Sequence, residues 1–285
     1  MEIDWTIIFS IAGAFGAAST AQYFSHRLTL KREDEKYKKE KYQKFYSPLV
    51  FKIVKYIEAE GSKISGVNRS TNPDPNQIFT SIITTIEKNI QYADSDFIKI
   101  YEEAKTAEMV DYLEDDDFNF LMKFLASMQF DSHLNAFEQF FTDYLKISKD
   151  LNVLSSKVEK EVKESIVKIK LYNLFSEHGL LTTAKILFAV GEDSVNENNI
   201  DSFIKEIDDV NEITNNNYKP YKQTGDAIHN DCYDDLFFFL EKIVKNTGVN
   251  FPECSIKDGL SDDIPMLRYK TKGRIAISRI EDFNL

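Results

Sequence analysis

Apolar residues open this chain as an unbroken block, and afterwards they recur mainly at helical spacing. No charged side chain occurs from Trp5 to Phe24. The strongest apolar density lies at Trp5, Ile7, Ile8, Phe9 and Ile11, with Ala, Gly, Ser and Thr filling most of the second half up to Phe24. A helix of about 20 residues extends roughly 30 Å, the thickness of a bilayer's hydrocarbon core, so residues 1–26 are predicted to form a single transmembrane anchor. Gly13 and Gly16 each fall in a small-xxx-small pair (Gly13 with Ala17, Ala12 with Gly16), which favours close helix approach and self-association. A buried core helix is the main rival. An interfacial helix would need a polar, basic face, and a signal peptide would need positive charge where Glu2 and Asp4 stand.

Beyond the block, Tyr42, Phe45, Tyr46, Leu49, Val50, Ile53, Val54 and Ile57 recur at spacings of three and four, predicting an amphipathic, membrane-proximal helix within residues 27–60. Pro48 inside that stripe predicts a bend, or a fresh start with Ser47 as cap. Residues 61–77, with Gly61 and Asn72-Pro-Asp-Pro-Asn76, read as a linker. Helical stripes then fill an acidic domain over 78–248. They begin at Ile78 and at the Asp94–Asp96 cap cluster, and continue from Phe118 and, after a break near Asp131–Ser132, from Phe137. Further stripes run from Val158 to Phe175 with Gly179 closing, Leu180 to Val190, Ile200 to Ile213 before Asn215–Asn217, and Asp231 to Val244. In residues 249–285, the alternation of Leu267–Lys272 and Arg274–Ile280 about Gly273 predicts a β-hairpin. The expected fold class is mainly all-α: one transmembrane helix, a membrane-proximal helix, a multi-helix cytoplasmic body and a short terminal hairpin.

Charge orients this plan. Arg27, Lys31, Arg32, Lys36, Lys38, Lys39, Lys41 and Lys44 face only Glu33, Asp34, Glu35 and Glu40 over residues 27–44, a local balance of +4. Basic residues beside a span stay on the cytoplasmic side, so the N-terminus is expected outside and the body in the cytoplasm of the cell. Arg27, Lys31, Arg32, Lys36, Lys38 and Lys39 are the expected headgroup contacts. The total of −12 includes that +4 and −2 from residues 1–26, so the rest of the chain carries −14. Such a body lacks the clustered cations that phosphate neutralisation needs, which argues against nucleic acid as a partner. Two cysteines, Cys232 and Cys254, supply no disulfide framework.

Chemistry-bearing patterns are sparse, and no cofactor is implied. His229, Asp231, Cys232 and Asp234 gather zinc-type and nucleophile donors in one short stretch, but only half of any such site is visible, and a loop at His229–Asn230 with Asp231 capping the following helix is the favoured account. Glu114–Asp117 offers oxygen ligands but lacks the spacing of a calcium loop, and reads as a solvated helix start. Ser165-Ile-Val-Lys168 matches a Ser-x-x-Lys spacing on what looks like an exposed lysine-rich face. Asn68-Arg-Ser70 has the form of a glycosylation acceptor, irrelevant in a cytoplasmic body.

The layout is similar to single-span bacterial proteins of the abortive-infection or phage-exclusion kind, a similarity of plan carried by no sequence motif. It implies a bacterial or phage membrane-anchored interaction protein whose acidic body meets a protein partner or another copy of itself. The alternative is a tethered enzyme, a hydrolase or nuclease-like effector, whose site would form only on folding.

Overall fold

The computed structural model describes residues 5–66, 74–108, 118–190, 199–224 and parts of 235–243, with the side chains of residues 5–19, 104, 106–108, 118–129, 190 and 217–224 outside the description. It is mostly helical, and no strand occurs among the described residues. The predicted hairpin over residues 267–280 lies outside them.

Helix α1 runs from Trp5 to Lys41, passes through a π-helical turn at Tyr42–Tyr46 and continues as α2, Ser47–Ile64. The bend or fresh start expected at Pro48 is replaced by this widened turn. Backbone angles stay helical at Lys41 (φ −56°, ψ −49°), Tyr46 (φ −73°, ψ −48°) and Ser47 (φ −60°, ψ −43°). The Ser47 N–H donates to the Tyr42 carbonyl, five residues back. Proline inside a helix lacks one donor and crowds the carbonyl four residues earlier; a π turn just before it opens the spacing that proline disturbs.

The expected membrane span finds no support among the described residues. The segment is helical, yet among the described residues no helix is long and apolar enough to cross a membrane. The reason lies in composition: Ile7–Ile11 is strongly apolar, but Ala, Gly, Ser and Thr dilute the stretch from Ala12 to Thr20.

Helix α3 spans Pro75–Asn89, with Pro75 in the first turn and Asp74 accepting from the Asn76 N–H at 3.1 Å. A 3-10 turn (Ile90–Tyr92) leads to α4, Ser95–Glu108. Helix α5 is continuous from Phe118 to Asp150, so the break expected near Asp131–Ser132 does not exist. It ends on Asn152, whose φ of +53° accompanies the Val153 N–H bond to Ser148 O (3.0 Å), a left-handed cap. Helix α6, Ser156–Ser176, starts on the Ser155 hydroxyl and ends on Gly179 at φ +78°, with Leu180 N–H bonding Phe175 O at 3.0 Å. The glycine predicted to close this helix does so by adopting the left-handed conformation that a Cβ penalises. Helix α7 covers Leu181–Val190 and α8 covers Ile200–Thr224, running straight through Asn215–Asn217 where a loop was expected.

Two aromatic knots fill the core. Phe45, Phe97 and Phe140 meet with ring centroids 5.5 to 6.1 Å apart, and Tyr46 and Phe141 lie against Phe140. Phe130, Tyr172 and Phe188 form the second knot at 5.1 to 5.9 Å. Edge-to-face contacts of this kind add ~0.5–1.5 kcal/mol each beyond burial. Gly61, expected to break the chain, is instead buried in α2; a Cβ there would lie 3.5 Å from the Ala189 Cα of α7. Its role is helix–helix approach.

Helix α6 is the hub, packed against α2, α5, α7 and α8. Lys163 pairs with Asp201 (2.7 Å) and Lys170 with Asp208 (2.6 Å), one pair about two turns beyond the other, so α6 and α8 run parallel.

Candidate functional site

The feature that sets one region apart is the first helix beyond the body. Every residue from Thr20 to Tyr37 is exposed. Tyr23, Phe24, Leu28, Leu30 and Tyr37 each show more than half of their surface to solvent. Large apolar side chains bared in succession on one element make it a candidate interaction surface.

The arm is fastened at its base. Lys41, only 8% exposed, donates from Nζ to Asp94 Oδ1 at 2.5 Å, and the Tyr46 hydroxyl donates to Asp94 Oδ2 at 2.9 Å. Desolvation opposes the charge on Asp94, but these two hydrogen bonds and the Lys41 charge outweigh it and hold the carboxyl below its ordinary range. Asp143, on α5, has the opposite bias. Burial raises it, Asp94 nearby adds to that, and its Oδ2 has no hydrogen-bond partner among the described residues. Lys44 reaches Glu40 (2.5 Å) and Tyr92 (2.9 Å), while Lys38 reaches Asp150 at 3.8 Å. Tyr42 stacks on Tyr144 with centroids 6.1 Å apart. The start of α4 and the end of α5 thus grip the arm from two sides.

The sequence-predicted residues fall into three groups. Trp5, Ile7, Ile8, Phe9, Ile11, Gly13 and Gly16 lie on the backbone of α1, and Phe24 stands exposed beyond them. Of the predicted headgroup contacts, Arg27, Lys31, Arg32, Lys36 and Lys39 are exposed, whereas Lys38 is tied to Asp34 (3.3 Å) and Asp150. His229, Asp231, Cys232 and Asp234 lie outside the described residues, as do Glu114–Asp117 and Asn68–Ser70. Among the described residues no group of three or more His, Cys, Asp or Glu is placed to hold a metal ion.

Ser165 and Lys168 are a correction. Both are 4% exposed, not on an open face, and the Ser165 hydroxyl donates to the Glu161 carbonyl of its own helix at 3.0 Å. The lysine periodicity misled because α6 buries these residues at the centre of the bundle.

One apolar crevice lies between α3, α4 and α5, walled by Phe79, Ile83, Phe97, Tyr101, His133 and Phe137. Its interior has room for about one water, too little for a small-molecule ligand. His133 stacks on Phe79 at 4.2 Å, and burial pushes its imidazole down to about 4. It is a neutral packing residue at physiological pH.

Reasoning from sequence missed the clamp at the arm's base. Lys41 and Asp94 are more than fifty residues apart, and only the acid-rich cap cluster at Asp94–Asp96 hinted that a carboxylate sat there. Comparison with known proteins finds no matching family model, no matching curated protein and no matching solved structure.

Proposed function

We propose that this chain is a membrane-associated helical interaction protein. Its arm enters the bilayer from the cytoplasmic side, and its acidic body meets a protein partner in water. The observation that supports this most is the wholly exposed stretch from Thr20 to Tyr37, with Tyr23, Phe24, Leu28 and Leu30 bared immediately after an uncharged apolar sequence. Burying such residues in a lipid phase gains about 25 cal/mol per Å² of apolar area, a gain the arm does not make against the body. Basic residues following the apolar stretch favour the cytoplasmic side for everything beyond them.

Membrane fractionation tests the reading. The full chain sediments with membranes and resists high salt; a variant carrying Ile7→Asn, Ile8→Asn, Phe9→Ser and Ile11→Asn moves to the supernatant with its unfolding midpoint unchanged. A full chain that stays in the supernatant overturns the proposal. Labelling of Thr6→Cys, in a Cys232→Ser, Cys254→Ser background, by an impermeant reagent on intact cells separates complete crossing from insertion into one leaflet.

A further inference from the structure

Ion pairing divides the basic residues of the arm into two sets. Lys38, Lys41 and Lys44 are engaged, with Asp34 and Asp150, Asp94, and Glu40 respectively. Arg27, Lys31, Arg32, Lys36 and Lys39 are exposed and form no ion pair among the described residues. Of these five cations, Arg27, Lys31, Arg32 and Lys36 lie next to the apolar stretch, and Lys39 lies among the engaged lysines at the base.

We infer that Arg27, Lys31, Arg32, Lys36 and Lys39 form a recognition surface for anionic lipid headgroups, resting on the membrane reading above. The partner follows from how polarity is arranged. Apolar and basic residues in α1 are only partly segregated into lateral faces. At 100° per residue, Phe24 and Leu28 fall within the arc of the five cations, while Tyr23, Leu30 and Tyr37 fall outside it. The sharper segregation runs along the axis: uncharged to Phe24, then cationic from Arg27. A helix lying flat on a surface, or seated in a protein groove, needs a lateral face. A helix entering a bilayer end-on meets an apolar layer and then a charged one, and this order matches the arm.

A second copy of the chain fits less well. Tyr23, Leu30 and Tyr37 share one heptad position, but the positions that would complete a seam hold His26 and Glu33, or Arg27 and Asp34. Charges there deny knobs-into-holes packing. Anionic headgroups supply the countercharge that the described residues of the body do not bring to these five residues. Juxtamembrane Lys and Arg each strengthen attachment to an anionic surface by about fivefold, less where acids such as Glu33 and Glu35 intervene.

Flotation of the full-length protein with vesicles of phosphatidylcholine, alone or mixed with phosphatidylglycerol, tests this. Binding is expected to be much tighter to the mixed vesicles and to weaken as salt rises. Replacing all five cations by Gln is expected to cost on the order of a hundredfold on mixed vesicles. A control replacing the exposed body lysines Lys55, Lys88, Lys99, Lys157 and Lys205 by Gln leaves binding unchanged. Equal, salt-independent binding to both vesicle types overturns the inference and leaves membrane association standing. Failure to bind either vesicle, with concentration-dependent dimerisation in light scattering, overturns both.

Discussion

Helices α1 and α6 are both lysine-rich, yet they live in opposite surroundings. Over residues 20–37 α1 is exposed on every side, while α6 buries Val162, Ile166, Ile169, Leu171, Tyr172, Leu174 and Phe175 among its neighbours. The contrast extends to charge. Lys163 meets Glu159 (2.9 Å) and Asp201, and Lys170 meets Glu138 (2.8 Å) and Asp208. On α1 Arg27, Lys31, Arg32, Lys36 and Lys39 form no ion pair among the described residues. A lysine count would not distinguish these helices; what distinguishes them is whether each charge is answered inside the chain. On α6 the answers come from α5, α8 and its own first turn. On the arm the described residues supply no ion pair to these five.

Truncating core aromatics breaks the comparison most sharply. Phe140→Ala removes a ring with no exposure from the knot at the arm's base and is expected to cost ~3–5 kcal/mol in urea unfolding. Leu28→Ala, at 55% exposure, is expected to change stability by less than ~0.5 kcal/mol. Comparable losses at both positions would show that the arm packs on the body in solution, and the distinction between the two regions would disappear.

The clamp gives the next largest effect. Asp94→Ala strands the buried Lys41 ammonium. Breaking a fully buried pair costs ~3–5 kcal/mol, but the Asp94 side chain is 48% exposed, so solvent screening reduces the expectation to about 2 kcal/mol at neutral pH. The sign with pH follows from the direction of its shift. A carboxyl held below its unfolded value near 3.8 stabilises the fold above that value and loses the contribution as pH falls through the folded value. The difference between wild type and Asp94→Ala should therefore shrink in denaturation curves taken below about pH 4. A gap that persists unchanged in acid would mean that packing, not charge, fastens the arm.

Much of the body was legible in the sequence because local rules governed it. The stripe from Tyr42 to Ile57 became the buried face of the π turn and α2, and Gly179 ended α6 in the left-handed conformation its position implied. The errors arose where distant packing overrode a local signal. Gly61 looked like a break but admits α7; Asp131–Ser132 and Asn215–Asn217 looked like loops but lie inside α5 and α8. Pro48 signalled a disturbance correctly, although a widened turn absorbs it without leaving the helix. Of the candidate site, the axial order of apolar and basic residues could be read directly. Which lysines were already engaged could not, since Asp94 and Asp150 are remote from Lys41 and Lys38 in the chain.

The smallest expected effect sharpens the comparison furthest, because it asks whether unanswered charge matters to the fold at all. Lys163, with its side chain 11% exposed, is held high by the hydrogen bonds it donates to Asp201 and Glu159, which overcome the desolvation opposing it. Lys163→Gln removes a cation facing two carboxylates and should cost about 1 kcal/mol, since both partners keep some access to water. The same change at Lys31 removes a cation with no ion-pair partner among the described residues, and the urea midpoint should not move. If Lys31→Gln destabilised the isolated protein as much as Lys163→Gln, some acid of the body would be answering the arm after all. The five cations would then be structural, and their claim on lipid would fall with them.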